Sequence, residues 1–265
     1  VRLTKHHGLG NDFLVALAAD HPDGLHPDPA VAVALCDRRR GIGADGLLWG
    51  LAPANASSAD LHMVLHNSDG SVAEISGNGI RCLAQAVLRS QHRNAGSLRI
   101  ETAAGLRELE ATPTEDPLTV LVTVDMGEVA DGPPIPRPVV EWGAREIASL
   151  SIGNPHLVLH LDDPDSVDPA VDGPAIESLV PGGINVHFLV VESRDVIRLR
   201  HWERGAGVTE ACGSGATVAA VAAHRWGLVG DRVVVRMPGG DATVDIAEHI
   251  HLTGPSTFVG EVVVP

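Results

Sequence analysis

The sequence predicts an α/β (α+β) protein built as two pseudo-symmetric domains. Short apolar or alternating runs recur along the chain, each closed by Gly, Pro, Asn or Asp, and two glycine-rich turns each open a helical pattern. Those two turns are copies of one phrase. Glu74-Ile75-Ser76-Gly77-Asn78-Gly79 returns as Glu210-Ala211-Cys212-Gly213-Ser214-Gly215, offset by 136 positions in a chain of 265.

The strand-like runs are LHMVLH at 61–66, LRIET at 98–102, LTVLVTVDM at 118–126, HLVLHL at 156–161, NVHFLVV at 185–191, VIRLRHW at 196–202 and RVVVRM at 232–237. In the first helical pattern Ile80, Leu83, Val87 and Leu88 recur at helical spacing, with Arg81 and Gln85 off that face. The second, GATVAAVAAHRWG, is small and apolar nearly all round, which predicts a helix buried on most sides and ended by Gly227. GPPIPRP at 132–138 reads as a surface connection, with the domain boundary just before it, near TPTEDP at 112–117. The expected halves are 1–116 and 117–254. Overlaying them matches Val72 with Val208, Glu74 with Glu210, Gly77 with Gly213 and Gly79 with Gly215, and sets Asn67 opposite Glu203. Such a repeat implies two helix starts related by a pseudo-twofold axis, facing each other across a cleft, with one reactive side chain from each half.

Composition narrows the function. At 44% hydrophobic the chain can bury a substantial core. No apolar run approaches the roughly 20 residues that cross a bilayer, and VRLTKHHGLG lacks a signal-peptide core, so a cytoplasmic protein without a membrane partner is expected. Net charge of −15, with 19 Lys and Arg spread along the chain, disfavours nucleic acid. Cys36, Cys82 and Cys212 are far apart and form no CxxC pair, against both a disulfide framework and zinc. Gly41 to Gly46 satisfies GxGxxG, but LLWGLAP after it reads as strand and turn, where a dinucleotide fold needs a helix. His62 with His66, and His6 with His7, lack a third ligand at recognisable spacing, so no metal is expected. Ala211 and Glu74 occupy the positions where a serine-hydrolase elbow needs its first glycine.

The positive signal lies at the second turn. A helix N-terminus presents unpaired N–H groups and partial positive charge, which attract anions and lower the pKa of a thiol placed there from its usual value of about 8.5. Cys212 stands at such a position, flanked by Gly213 and Gly215, which allow backbone amides to approach a carboxylate. A single Cys is ordinarily a small buried hydrophobe; the glycines, the helix start and the internal copy together point to a nucleophile or general base.

The letters resemble the diaminopimelate epimerase family, of the cofactor-independent, two-cysteine amino-acid racemase group. The resemblance rests on HHGLGNDF, DRRRGIGADGLL at 37–48, NSDGSVAEISGNGIRC at 67–82, SIGNPH at 151–156, GGINVHF at 182–188 and ERGAGVTEACGSGA at 203–216, in the family's order. It implies two domains, each a curved, mostly antiparallel sheet around a central helix, with the site in the cleft between them and the last strand, about 255–265, returning to the first domain. It also implies a homodimer and epimerisation of LL- to meso-diaminopimelate for lysine and peptidoglycan precursor synthesis. One thiolate would remove the α-proton while a thiol on the opposite face supplies another, with no cofactor.

By motif position, Asn11, Asn67, Asn154, Asn185, Glu203 and Arg204 are the implied substrate contacts, with Arg204 on the distal carboxylate. Gly77, Asn78, Gly213 and Ser214 would surround the reacting α-carboxylate, and His156 would lie nearby. Cys212 is one implied catalytic residue, but Ser76 stands where the family pattern places the first catalytic cysteine. Cys82 lies about a turn and a half further on, and Gly46 stands where some members carry a substrate-contacting Gln. Three explanations fit Ser76: an introduced substitution that traps substrate, a working Cys/Ser pair, or a homologue whose reaction is lost or changed. The last includes a racemase, epimerase or dehydratase of another amino acid, and a catalytically silent amino-acid-binding protein.

Overall fold

The structure, a computed structural model, describes residues 1–21 and 24–264. The chain forms two units, Val1–Asp125 with Thr253–Pro265, and Met126–Leu252. All seven strand-like runs are strands, and both helical patterns are helices.

The first unit contains β1 (Arg2–Gly8), β2 (Asn11–Leu17), β3 (Gly46–Leu51), β4 (Leu61–Asn67), the short β5 (Val72–Ala73), β6 (Gly96–Thr102), β7 (Gly105–Pro113) and β8 (Thr119–Gly127). TPTEDP is the turn joining β7 to β8, and the chain leaves this unit within β8. The strand order is β1-β2-β3-β4-β6-β7-β8, and a returning strand from Ile250 to Val263 lies beside β8 and pairs antiparallel with β1. The sheet therefore closes on itself. Neighbours are antiparallel except β2 with β3 and β4 with β6, which are parallel. Parallel neighbours require a crossover, and a helix supplies each one: α1 (Pro29–Cys36) and α2 (Gly77–Ser90).

The second unit repeats this plan. After β9 (Ala130–Asp131) and the one-turn α3 (Arg137–Val140) come β10 (Glu146–Ser151), β11 (Pro155–His160), α4 (Pro169–Glu177), β12 (Asn185–Ser193) and β13 (Val196–Trp202). They are followed by α5 (Gly213–Arg225), β14 (Arg232–Met237) and β15 (Gly240–Ile246), before the returning strand, β16. Again the neighbours joined across a helix are parallel, β11 with β12 and β13 with β14, and the others are antiparallel. A second repeated phrase accompanies the topology. Asp28-Pro29-Ala30-Val31 opens α1 and Asp168-Pro169-Ala170-Val171 opens α4, each Asp side chain accepting from the Ala N–H two residues on, with Pro at the first helical position.

The two crossover helices in each unit, α1 and α2 in the first and α4 and α5 in the second, occupy different environments. A core of Leu3, Leu14, Ala32, Cys36, Leu47 and Trp49 joins α1 to the first sheet, and Val139, Leu157, Leu159, Ile176 and Phe188 form the equivalent core in the second unit. The central helices α2 and α5 pack against many strands of their own sheets, and α5 is buried from Gly213 to Ala223. Gly227, at φ +73°, follows the end of α5 in the left-handed conformation.

The exposed edge expected for α2 is absent. Arg81 and Gln85 are as buried as the apolar residues, at 0% and 2% exposure, because the helix lies within a closed sheet. Gln85 is satisfied there: its Oε1 accepts from His6 Nδ1 and Ser256 Oγ, each at 2.8 Å, and its Nε2 donates to the Leu118 carbonyl at 2.7 Å. Since Gln85 Oε1 can only accept, the His6 proton sits on Nδ1 and its Nε2 accepts from Thr4 Oγ1.

Gln85→Leu would preserve bulk but strip two buried polar groups, His6 Nδ1 and Ser256 Oγ, of their shared acceptor. It is expected to lower unfolding free energy by about 2–4 kcal/mol, read by urea denaturation. A loss within about 0.5 kcal/mol would mean that this polar core is dispensable.

Candidate active site

The repeated phrase forms two helix N-caps. Ser76, at φ −135° and ψ 117°, accepts the Gly79 N–H on Oγ at 3.0 Å. Cys212, at φ −126° and ψ 108°, accepts the Gly215 N–H on Sγ at 3.3 Å. Both backbones are extended immediately before the helix, and both side chains satisfy the N–H three residues on. The capping atom can still donate its own proton elsewhere. The second glycine of each phrase sits in close quarters: a Cβ on Gly215 would come within 2.1 Å of the His187 ring, a clash, and one on Gly79 would come a tight 3.2 Å from the Ser76 hydroxyl.

In the first unit Asn11 and Asn78 meet directly, Asn78 Nδ2 donating to Asn11 Oδ1 at 3.1 Å. Asn11 Nδ2 in turn donates to Asp45 Oδ2 at 2.7 Å. Asp45 and Asp12 share Arg38, and Lys5 lies 2.9 Å from Asp12. Hydrogen bonds from Arg38 and Lys5 hold the Asp12 carboxyl below its usual range against the opposing effect of burial. Asn67 ends β4 opposite Gly46 and donates from Nδ2 to Ser71 Oγ at 3.0 Å. Ser76 is half-buried, whereas Gly77 and Asn78 are buried.

The second unit assembles a different set. Asn185 donates from Nδ2 to the Pro155 carbonyl and accepts the Arg204 N–H on Oδ1. This amide ties β11, β12 and the segment after β13 together. Glu203 accepts from Thr209 Oγ1, which also bonds His201 Nε2 at 2.9 Å. Ser214 Oγ lies 3.7 Å from Cys212 Sγ. His156 Nε2 bonds Asn154 Oδ1 and His156 Nδ1 bonds His187 Nε2, both at 2.8 Å. Asn154 Oδ1 can only accept, so the His156 proton lies on Nε2 and His187 donates from its own Nε2. His187 Nδ1 is then a bare acceptor, buried without a partner.

Electrostatics distinguish the two caps. Burial, then the Glu203 charge and a thiol-to-carboxylate hydrogen bond, push Cys212 well above the ordinary thiol value; the Gly215 N–H and Ser214 pull downward and are outweighed. This corrects the expectation that a helix N-terminus brings the thiol near neutrality: desolvation and an adjacent carboxylate exceed the helix-end effect here. Burial also keeps the histidines neutral, at about 3 for His156, about 4 for His201 and well below 6.5 for His187.

Asp45, His187, His201 and Thr209 are not singled out by the sequence, and Arg81 appears there only as a residue off the apolar face of the first helix. Asp45 lies within DRRRGIGADGLL and His187 within GGINVHF, so the motifs pointed to them, but neither alternation nor spacing gave either residue a partner. Among the described residues no cluster of three or more His, Cys, Asp or Glu side chains is placed to hold a metal.

The architecture is that of racemase and epimerase structures. A hydroxyproline epimerase from Agrobacterium vitis, with trans-4-hydroxy-L-proline bound, is similar at TM-score 0.72 and 20% identity, covering 98% of this chain and 91% of that one. A predicted epimerase from Pseudomonas aeruginosa is similar at TM-score 0.77 and 16% identity, covering 99% and 98%. The diaminopimelate epimerase family pattern matches residues 3–130 and 148–259. A diaminopimelate epimerase from Desulfitobacterium hafniense is 40% identical over 279 residues, covering 98% of this chain and 96% of its own. The chain belongs to the diaminopimelate epimerase family.

Two measurements test the electrostatics. Removing the Glu203 charge stabilises the thiolate, so Glu203→Gln is expected to lower the Cys212 midpoint by about a unit or more in a thiolate-absorbance titration, with Cys212→Ala identifying the signal. An unchanged midpoint would contradict the assignment.

The buried histidines have folded pKa values below their unfolded value of 6.5, so their contribution to stability is complete above that pH and is lost as pH falls toward about 4. Each is expected to contribute about 1 kcal/mol of lost unfolding free energy per pH unit in that window. Stability unchanged from about pH 7 to pH 5 in urea unfolding would contradict their burial as neutral groups.

Proposed function

We propose that this protein epimerises LL-diaminopimelate to meso-diaminopimelate by proton removal and return at one α-carbon, as a step in lysine and peptidoglycan precursor synthesis. Family membership supports the substrate, and the observation that carries the mechanism is the matching capping geometry of Ser76 and Cys212. Each stands at the mouth of a helix whose N–H groups favour an anion, as the reacting α-carboxylate requires.

Cys212 is the stronger acid–base group. Its thiol already donates toward Glu203, so transfer of the S–H proton to that carboxylate generates a thiolate beside a carboxylic acid. The thiolate removes the α-proton, and Ser76 donates its hydroxyl proton to the opposite face of the carbanion, becoming an alkoxide that solvent reprotonates while the Glu203 carboxylic acid releases its proton to solvent, restoring the starting state. A hydroxyl is far less acidic than a thiol, so completing inversion through Ser76 is slower than removing the proton through Cys212. In this reading Asn11, Asn67, Asn154, Asn185, Glu203 and Arg204 contact the substrate, with Arg204 on the distal carboxylate. Gly77, Asn78, Gly213 and Ser214 surround the reacting carboxylate, and His156 buttresses Asn154. Homodimeric assembly and a cytoplasmic location complete the proposal; no helix of the described residues is long and apolar enough to cross a membrane.

Chromatographic conversion of LL- to meso-diaminopimelate tests the reading. Slow turnover is expected in the unmodified chain, a rise of about tenfold or more in kcat for Ser76→Cys, and a fall of about a hundredfold or more for Cys212→Ala. No conversion by either the unmodified chain or Ser76→Cys would reject diaminopimelate epimerisation and leave binding without turnover, or another amino acid, as the function.

A further inference from the structure

Arg81 is fully buried at the start of α2, and among the described residues no carboxylate pairs with it. Its guanidinium instead uses three neutral acceptors: Nη1 donates to the Gly77 carbonyl at 2.9 Å, Nη2 to Asn78 Oδ1 at 2.7 Å and Nε to the Pro255 carbonyl at 3.3 Å. Burial lowers its pKa to about 10, which leaves it cationic at neutral pH. A buried cation without a counterion is costly and calls for a compensating role.

The space around Arg81 is made by two glycines. A Cβ on Gly254 would lie 3.0–3.2 Å from three guanidinium atoms, and one on Gly8 would lie 3.1 Å from Nη2. The backbones of β1 and β16 thus bracket the guanidinium.

Arg81 also determines how the neighbouring amides face. Guanidinium Nη2 can only donate, so Asn78 must present Oδ1 to it and direct Nδ2 at Asn11 Oδ1. Asn11 must then direct Nδ2 at Asp45, whose carboxylate can only accept. A donor-only cation and an acceptor-only anion terminate a chain of two amides, and both flip states are fixed in one sense.

We propose that Arg81 is a positioning residue that, through Asn78, orients the amides of Asn78 and Asn11 toward the substrate carboxylate. The inference rests on the reading that these two asparagines contact substrate. Arg81→Lys retains a charge but loses the planar, three-direction donor, whereas Gly254→Ala leaves Arg81 in place and displaces its guanidinium.

Two readouts separate this role from simple stability. Side-chain amide hydrogen exchange of Asn78 and Asn11, followed by NMR without substrate, is expected to accelerate about tenfold or more in Arg81→Lys and in Gly254→Ala. In whichever background turns over diaminopimelate, unmodified or Ser76→Cys, Arg81→Lys is expected to lower kcat/KM about tenfold, but less than about twofold once Asn78 is already Ala. Unchanged amide exchange in both variants, or equal losses with and without the Asn78 side chain, would overturn the proposal. Absence of turnover in both backgrounds would reject the proposed function, while amide exchange would still decide whether Arg81 orders the asparagines.

Discussion

The structure depends on what a side chain must do at the first position of a buried helix. The opening N–H groups of α2 and α5 have no intrahelical acceptor, and burial denies them water, so the residue before each helix must supply an oxygen or sulfur. Ser76 and Cys212 do this with nearly the same dihedral angles. Such a cap accepts one hydrogen bond and retains one proton to give, held at the positive end of the helix. In the proposed reaction, structural necessity and acid–base chemistry use the same atom, and the matching caps show that Ser and Cys both fit this place in the fold.

The sheets follow from placing those helices inside. An interior helix that crosses between two strands makes them parallel neighbours, and this happens at corresponding places in the two units. In the first unit the surrounding sheet closes, which buries the whole circumference of α2 and forces Arg81 and Gln85 to find partners among carbonyls, amides and hydroxyls. In the second, α5 buries mostly small apolar residues, with Thr217 bonding back to the Gly213 carbonyl of its own helix, and the larger buried polar groups are His156, His187 and His201 on the strands. The two units share a plan but differ inside: the first holds a buried guanidinium and amides beside its imidazoles, and the second holds three clustered neutral imidazoles.

Much of this was legible in the letters. Runs of branched and apolar residues gave the strands between 61 and 237 that were singled out, and the glycine-rich phrase located both central helices and both caps. β1 and β7 were not distinguished, because RLTKHHG and GLRELEATP carry many polar residues in strands with an exposed face. The Asp-Pro-Ala-Val repeat opening α1 and α4 strengthens the internal symmetry with a capping mechanism that hydrophobic periodicity does not signal. Helical periodicity misjudged Arg81 and Gln85 because it assumes that one face meets water, whereas a closed sheet leaves α2 no such face. The thiol pKa of Cys212 was misjudged for a related reason: the helix end is a local feature of sequence, but burial and the approach of Glu203 depend on the tertiary fold.

The central claim is that the two caps are unequal partners in one proton transfer, with Cys212 the effective base. NMR observation of the α-protons of LL- and meso-diaminopimelate in D2O measures removal and inversion separately. The account predicts deuterium entering the α-position with retained configuration faster than inverted product appears, and loss of both processes in Cys212→Ala. Exchange that persists undiminished in Cys212→Ala would contradict it.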